Sequence, residues 1–221
     1  MRIALALLAV LIAGAAIAAP FAVQVGEARL ALDAPPGFSD VQATGSPRLL
    51  ELAEALTSPS NKILVFALED GDVRRFSLGD SLDLRRYVIV VTPKALERER
   101  VSPAAFAAFV SESLRELGAP AGGADVRRTL DAQPRGRPAL LSELRKDGQV
   151  VSVLQGARLA DPPGSRQPPP RYVLSTTSLM LVRGKALNLA LYSIYDQDSD
   201  VDWIRATTAR WLEDLQRLNN R

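Results

Sequence analysis

Apolar positions along the chain alternate between two spacings. Where they recur every second residue, or run together for five or six, strands are expected; where they recur at three and four, helices are. "ARLALDAPPGF" places Leu30 and Leu32 on one side and ends at Pro35-Pro36-Gly37, which predicts a short strand and a turn. "SPRLLELAEALTS" follows as a short amphipathic helix. Ser46 stands at the cap, Pro47 at the first helical position, and Leu49, Leu52, Ala53 and Leu56 on one side. Ile63–Leu68 and Tyr87–Val91 are the clearest strands, too short and too rich in β-branched residues for helices. The polar segment "GDVRRFSLGDS" between them reads as a long loop.

"VSPAAFAAFVSESLRELG" predicts a helix, capped by Ser102, begun by Pro103 and ended by Gly118. Its apolar stripe is Phe106, Phe109, Val110, Leu114 and Leu117, a core face rather than a cofactor box. An edge strand is expected near Val126–Leu130. Two hairpins follow, one turning at Asp147-Gly148 and one at Arg183-Gly184. They are separated by a proline-rich excursion, residues 161–170, that has no place in a central strand. A final helix carries Val201, Ile204, Thr208, Trp211, Leu215 and Leu218 inward. Strands arrive mostly as adjacent hairpins, which argues for an antiparallel sheet. Three helices, placed early, centrally and last, are expected to cover both faces of an α+β sandwich.

The first residues form a different pattern. Arg2 precedes an apolar run from Ile3 to Ile12, small residues follow, and Ala16-Ile17-Ala18 fits a peptidase site. Residues 1–19 therefore read as a secretory signal peptide, with an uncleaved inner-membrane anchor as the alternative because apolar residues continue through Val23. Either way residues 20–221 are expected outside the cytoplasm as one domain. Alanine, arginine and leucine richness suggests a bacterial periplasm.

Composition then removes chemistry. Among 221 residues, 47% are hydrophobic and 24% charged, an ordinary globular balance, and the formal net charge of +2 gives no general pull toward nucleic acid. Histidine and cysteine are both absent. Imidazole- and thiol-based catalysis, zinc sites built on those groups, disulfides and lipid attachment through cysteine are all excluded within this chain. Catalysis would need paired carboxylates, which one sequence cannot show to converge. No enzyme is expected.

Several segments together resemble the PsbP-like family. They are "LDAPPGF", "NKILVFAL", "YVIVVTPKAL" leading to "SPAAF", and "GKALNLALYSIYD" followed by a helix with "DWI", "ARWLEDL" and "LN". The likeness spans most of the exported part, and the proline-rich insertion departs from it. It implies an α/β/α sandwich around an antiparallel sheet, with non-catalytic binding or assembly roles, and it supplies no catalytic residue.

"YDQDSDVDWI" holds Asp196, Asp198, Asp200 and Asp202 at every second position. The first three fit the opening of a calcium loop, whose oxygens must converge at about 2.3–2.6 Å. However, Val201 stands where that loop needs glycine and Thr207 where it needs glutamate. The favoured reading is a helix start, with Ser199 and Asp202 as a capping box; calcium is the alternative, and with it a small-molecule or ion-binding protein. Arg74, Arg75, Arg85 and Arg86 form two basic pairs, with Arg127-Arg128 a third, each a candidate contact for an acidic partner or a solvated strand end. The hydroxyls of "STTS", 175–178, lack a base and are expected to pair across strands. Lys185, at a turn, is expected to be exposed. Trp203 and Trp211 lie about 80° apart at roughly 100° per residue. Core anchoring is their default, and a partly exposed Trp203 would mark a contact surface. The function expected is a binding module for another cell-envelope protein.

Overall fold

The structure, a computed structural model, describes residues 20–121, 125–161 and 169–220. The proposed signal peptide and most of the proline-rich excursion lie outside them. Strands β1 (Phe21–Val25) and β2 (Ala28–Leu32) form a separate two-stranded hairpin. A seven-stranded antiparallel sheet runs in the order β3-β4-β5-β9-β8-β7-β6. Its members are β3 (Phe38–Asp40), β4 (Asn61–Glu69), β5 (Arg86–Pro93), β6 (Ala139–Lys146), β7 (Val150–Arg158), β8 (Tyr172–Val182) and β9 (Lys185–Tyr195). The helices are α1 (Pro47–Ala55), α2 (Asp70–Ser77), α3 (Pro103–Leu114), α4 (Val126–Asp131) and α5 (Asp198–Asn219). No helix among the described residues is long and apolar enough to cross a membrane.

Pleating divides the strands' side chains into two sets. Val65 and Ala67 of β4, Val88 and Val90 of β5, and Leu187, Leu189 and Leu191 of β9 join one core with Ile204, Trp211, Leu212 and Leu215 of α5 and with Leu30 and Leu32 of β2. The alternate residues Phe66, Leu68, Ile89 and Val91 pack with Leu49 and Ala53 of α1. Further along, Leu179 and Ala186 pack with Val101 and with Phe106 of α3.

The Arg183-Gly184 turn forms where its sequence places it, and the other lies one residue later than expected, at Gly148-Gln149 between the paired Asp147 and Val150. Arg183 and Gly184 both take positive φ, 49° and 77°, the two-residue geometry whose twist matches flanking strands. At the other, Asp147 Oδ1 accepts the amides of Gln149 and Val150, both at 2.8 Å.

Two expectations are corrected. The segment after β4 is not a plain loop: it holds α2, with Asp70 and Asp72 in its first turn and Arg74 and Arg75 in its last, charges that complement the helix dipole. Val126–Leu130 is not an edge strand but most of α4. Asp125 caps it by accepting the Arg128 amide at 2.9 Å, and Leu130 is completely buried. Its side chain fills the space over Gly156, where an added Cβ would lie 2.9 Å from Leu130 Cδ2.

Candidate anion-binding recess

Antiparallel pairing brings distant residues to one end of the sheet. Arg86 of β5 lies opposite Ser193 of β9, and Tyr195 of β9 lies opposite Tyr172 of β8. The start of β5, the end of β9 and the start of β8 therefore meet. Arg85 is fixed there by its carbonyl, which accepts the Ile194 amide at 2.8 Å. A recess of about 210 Å³ opens at this point, lined by Arg85, Arg127, Arg171, Asp83, Asp196 and the two tyrosines, among others. Three arginines and two aspartates stand among its lining residues, a net cationic set in which Arg85 is already paired with Asp196.

Arg127, delivered by α4, is held in place rather than loose. Its guanidinium lies 5.3 Å from the centre of the Tyr172 ring and 5.4 Å from that of Tyr195. It also donates to the Asp196 carbonyl at 2.9 Å. Both phenols point away and donate to carboxylates, Tyr172 to Asp131 at 2.5 Å and Tyr195 to Asp198 at 2.7 Å. Burial first, and those hydrogen bonds second, raise both phenol pKa values, Tyr195 to about 12. Both stay protonated at neutral pH and offer no base.

The four aspartates do not share a centre. The Asp196 carboxylate pairs with Arg85. Asp198 takes the Tyr195 hydroxyl. Asp200 Oδ2 accepts the amides of Asp196 and Gln197, each at 3.0 Å, and Oδ1 takes Arg86 at 3.2 Å. Burial works to raise the Asp200 pKa, but those amides and the Arg86 charge outweigh it and hold the carboxyl below its ordinary value. Among the described residues no three acidic groups are placed to hold a metal ion. Of the calcium candidates Asp196, Asp198, Asp200 and Asp202, the first three thus turn to separate partners. The helix start stands, two residues earlier than expected. Its capping box is Gln197 with Asp200, not Ser199 with Asp202.

The candidate contact residues separate. Arg86 is enclosed: its guanidinium lies 3.8 Å over the half-buried Trp203 ring, with Glu69 at 3.5 Å and Ser193 Oγ at 3.3 Å besides Asp200. Trp203 also meets Phe38 at 6.3 Å between ring centres. This pair rivets α5 to the sheet beside the recess. Arg75 pairs with Asp72 inside α2, and neither Arg74 nor Arg75 lines the recess. Arg85 does. Sequence reasoning missed Arg171, Tyr172 and Tyr195 as members of the site. Their only signal was flanking position, each standing at or beside the end of an apolar strand.

The hydroxyl run pairs within the fold. Ser178 meets Ser152 across the strands at 2.7 Å, Thr177 accepts from Gln155 at 2.9 Å, and Thr176 meets Thr208 of α5 at 2.9 Å. The expectation for Lys185 is corrected. It is 4% exposed, and its ammonium donates to the carbonyls of Glu97 at 2.9 Å and Glu99 at 2.7 Å. The turn does not leave it in solvent because the segment after β5 folds over it.

No family model matches the chain, and no curated protein matches it. Solved structures similar to it include a point mutant of the protein Mog1 and the Saccharomyces cerevisiae Ran-binding protein Mog1p. Each is 11% identical over 92% of this chain and 94% of the other, with a TM-score of 0.38. At that level the likeness carries no weight for fold or function.

Proposed function

We propose that this chain is an exported, non-enzymatic binding module of PsbP-like α/β/α architecture, its sheet covered by helices on both faces. It docks on another cell-envelope protein through the arginine recess. The observation that supports this reading is the convergence of Arg85, Arg127 and Arg171, from three separate segments, on one small opening. Arginine forks suit the planar oxygens of a carboxylate, and Arg127 is already ordered on two rings, so less freedom is lost when an acidic group arrives. Export rests on the order of Arg2, an apolar run and an alanine-rich peptidase site. Once exported, a chain without cysteine is held by its cores alone.

The reading is tested by recovering binding partners from the envelope fraction on the immobilised protein and on an Arg127→Glu, Arg171→Glu double variant. The variant gives up the two ring contacts of Arg127 and its bond to the Asp196 carbonyl, so some loss of melting temperature is expected, and recovery is compared at a temperature where circular dichroism shows both proteins folded. Partner recovery is expected to fall at least tenfold, the scale of losing a central arginine contact of about 2 kcal/mol. Equal recovery by parent and variant rejects the recess as the docking site.

A further inference from the structure

Burial alternates along β8 and β9. Side chains turned toward α5 are buried, while Val173, Ser175, Thr177, Ala190, Tyr192 and Ile194, on the other face, are only half-buried. Helix α1 packs over β4 and β5, and α3 packs near the β8–β9 turn. None of the six joins either core. None of them is charged.

One cross-strand row runs through this open floor. Tyr87 of β5 lies opposite Tyr192 of β9, Tyr192 opposite Ser175 of β8, and Ser175 opposite Gln155 of β7. The two tyrosine rings are stacked, with 4.5 Å between centres and 12° between planes. That is close to the roughly 4.8 Å spacing of the strands that carry them. The stack ends at Ser175, the one hydroxyl of the 175–178 run without a hydrogen bond among the described residues. Beyond it, the Gln155 amide is turned along the sheet and donates to Thr177 at 2.9 Å. Strands β9 and β7 stand roughly 9–10 Å apart. A flat ring touching a side chain on each needs about 7–8 Å, so it fits over the serine.

The floor is continuous with the arginine recess. Ile194 lines the recess and is the neighbour of Tyr192 on this face. The Arg171 carbonyl accepts the Leu159 amide at 2.8 Å, which extends the β7–β8 ladder back to residue 171. Alternation therefore puts Arg171, Val173 and Ser175 on one side, with about 13 Å from the first to the last at roughly 3.3 Å per residue.

We propose that an aromatic side chain of the docking partner completes the row, lying over Ser175 against the Tyr192 ring, while an acidic side chain of the same extended segment enters the recess. Only the acidic half rests on the recess reading. An extended segment advances about 13 Å in four residues and turns residues four apart to the same side. The partner therefore carries its acid and its ring four residues apart. The uncharged floor selects the ring, and the arginines set which end of the segment lies where.

The test uses the full chain and two capped seven-residue peptides of serine, threonine and glycine, with glutamate and phenylalanine at the second and sixth positions in either order. Binding is followed by amide chemical shifts. One peptide is expected to saturate, with the largest shifts at residues 173–177 and 190–194. Replacing its phenylalanine by alanine is expected to weaken binding about tenfold, the scale of a lost aromatic contact. Ser175→Phe fills the row from within, and Tyr192→Leu removes the stacking face. Each is expected to weaken the phenylalanine peptide by a similar factor and to leave the alanine peptide unaffected. Replacing glutamate by glutamine reads the recess separately. A loss there with none for alanine overturns this proposal and keeps the recess; the converse supports the ring site and rejects the recess. No saturation by either peptide at 10 mM, or N-acetylphenylalanine amide binding as tightly as the peptide, also overturns the proposal.

Discussion

Trp211→Ala is expected to cost about 3–5 kcal/mol of stability, the scale of emptying a large aromatic from a core. Trp211 is 1% exposed and sits among residues from α5, β2 and the sheet. Its indole nitrogen also donates to the Asp33 carbonyl at 2.7 Å, tying the chain after β2 to the final helix. Both losses act together in the alanine variant. Trp211→Phe separates them, because it keeps most of the apolar contact and orphans only the carbonyl, at about 1–3 kcal/mol. Urea unfolding followed by far-ultraviolet circular dichroism measures each. A loss under about 1 kcal/mol for the alanine variant would mean that α5 is not anchored here.

Lys185→Ala is expected to cost about 2–4 kcal/mol, far more than an exposed lysine at a turn. The ammonium is the partner of two carbonyls, those of Glu97 and Glu99, in a buried position. Gly26 crosses the same spot so closely that an added Cβ would lie 2.4 Å from the Glu97 oxygen. The lysine thus fastens the segment after β5 against the β1–β2 turn and the β8–β9 turn. Lys185→Met keeps the aliphatic stem and removes only the charge, so a loss close to that of alanine is expected by the same unfolding measurement. Variants as stable as the parent would show that water replaces the ammonium at no cost.

These two residues mark what a single sequence reveals. Trp211 was legible because α5 is long and its apolar spacing is unbroken. Strands β4 and β5, and both two-residue turns, one of them to within a residue, were legible for related reasons: short apolar runs and paired turn residues act locally. Lys185 was not legible, since its burial depends on residues 97–99 folding back, a contact no local pattern encodes. Helix α2 has only Val73 and Phe76 as partly buried apolar residues, and α4 has six residues, so neither displays a period. Strand β1 was hidden by the apolar run that precedes it. Of the candidate site, Arg85 was named and Arg127 was noted, but Arg171, Tyr172 and Tyr195 join them only through the register of β8 on β9. The aspartate run was legible as a helix start but not its exact frame, because the Asp200 carboxylate reaches back to the Asp196 and Gln197 amides and sets the start two residues early.

The central claim, docking through the recess, is tested most directly by placing a photoreactive benzophenone residue at position 170, an exposed proline that lines the recess, in living cells. Irradiation is expected to give one discrete adduct with an envelope protein, lost when Arg127→Glu is added. Position 115, an exposed arginine just beyond α3, is expected to give none. Equal adducts at 115 and 170, or no adduct at 170 with the protein folded and exported, would contradict docking through these arginines.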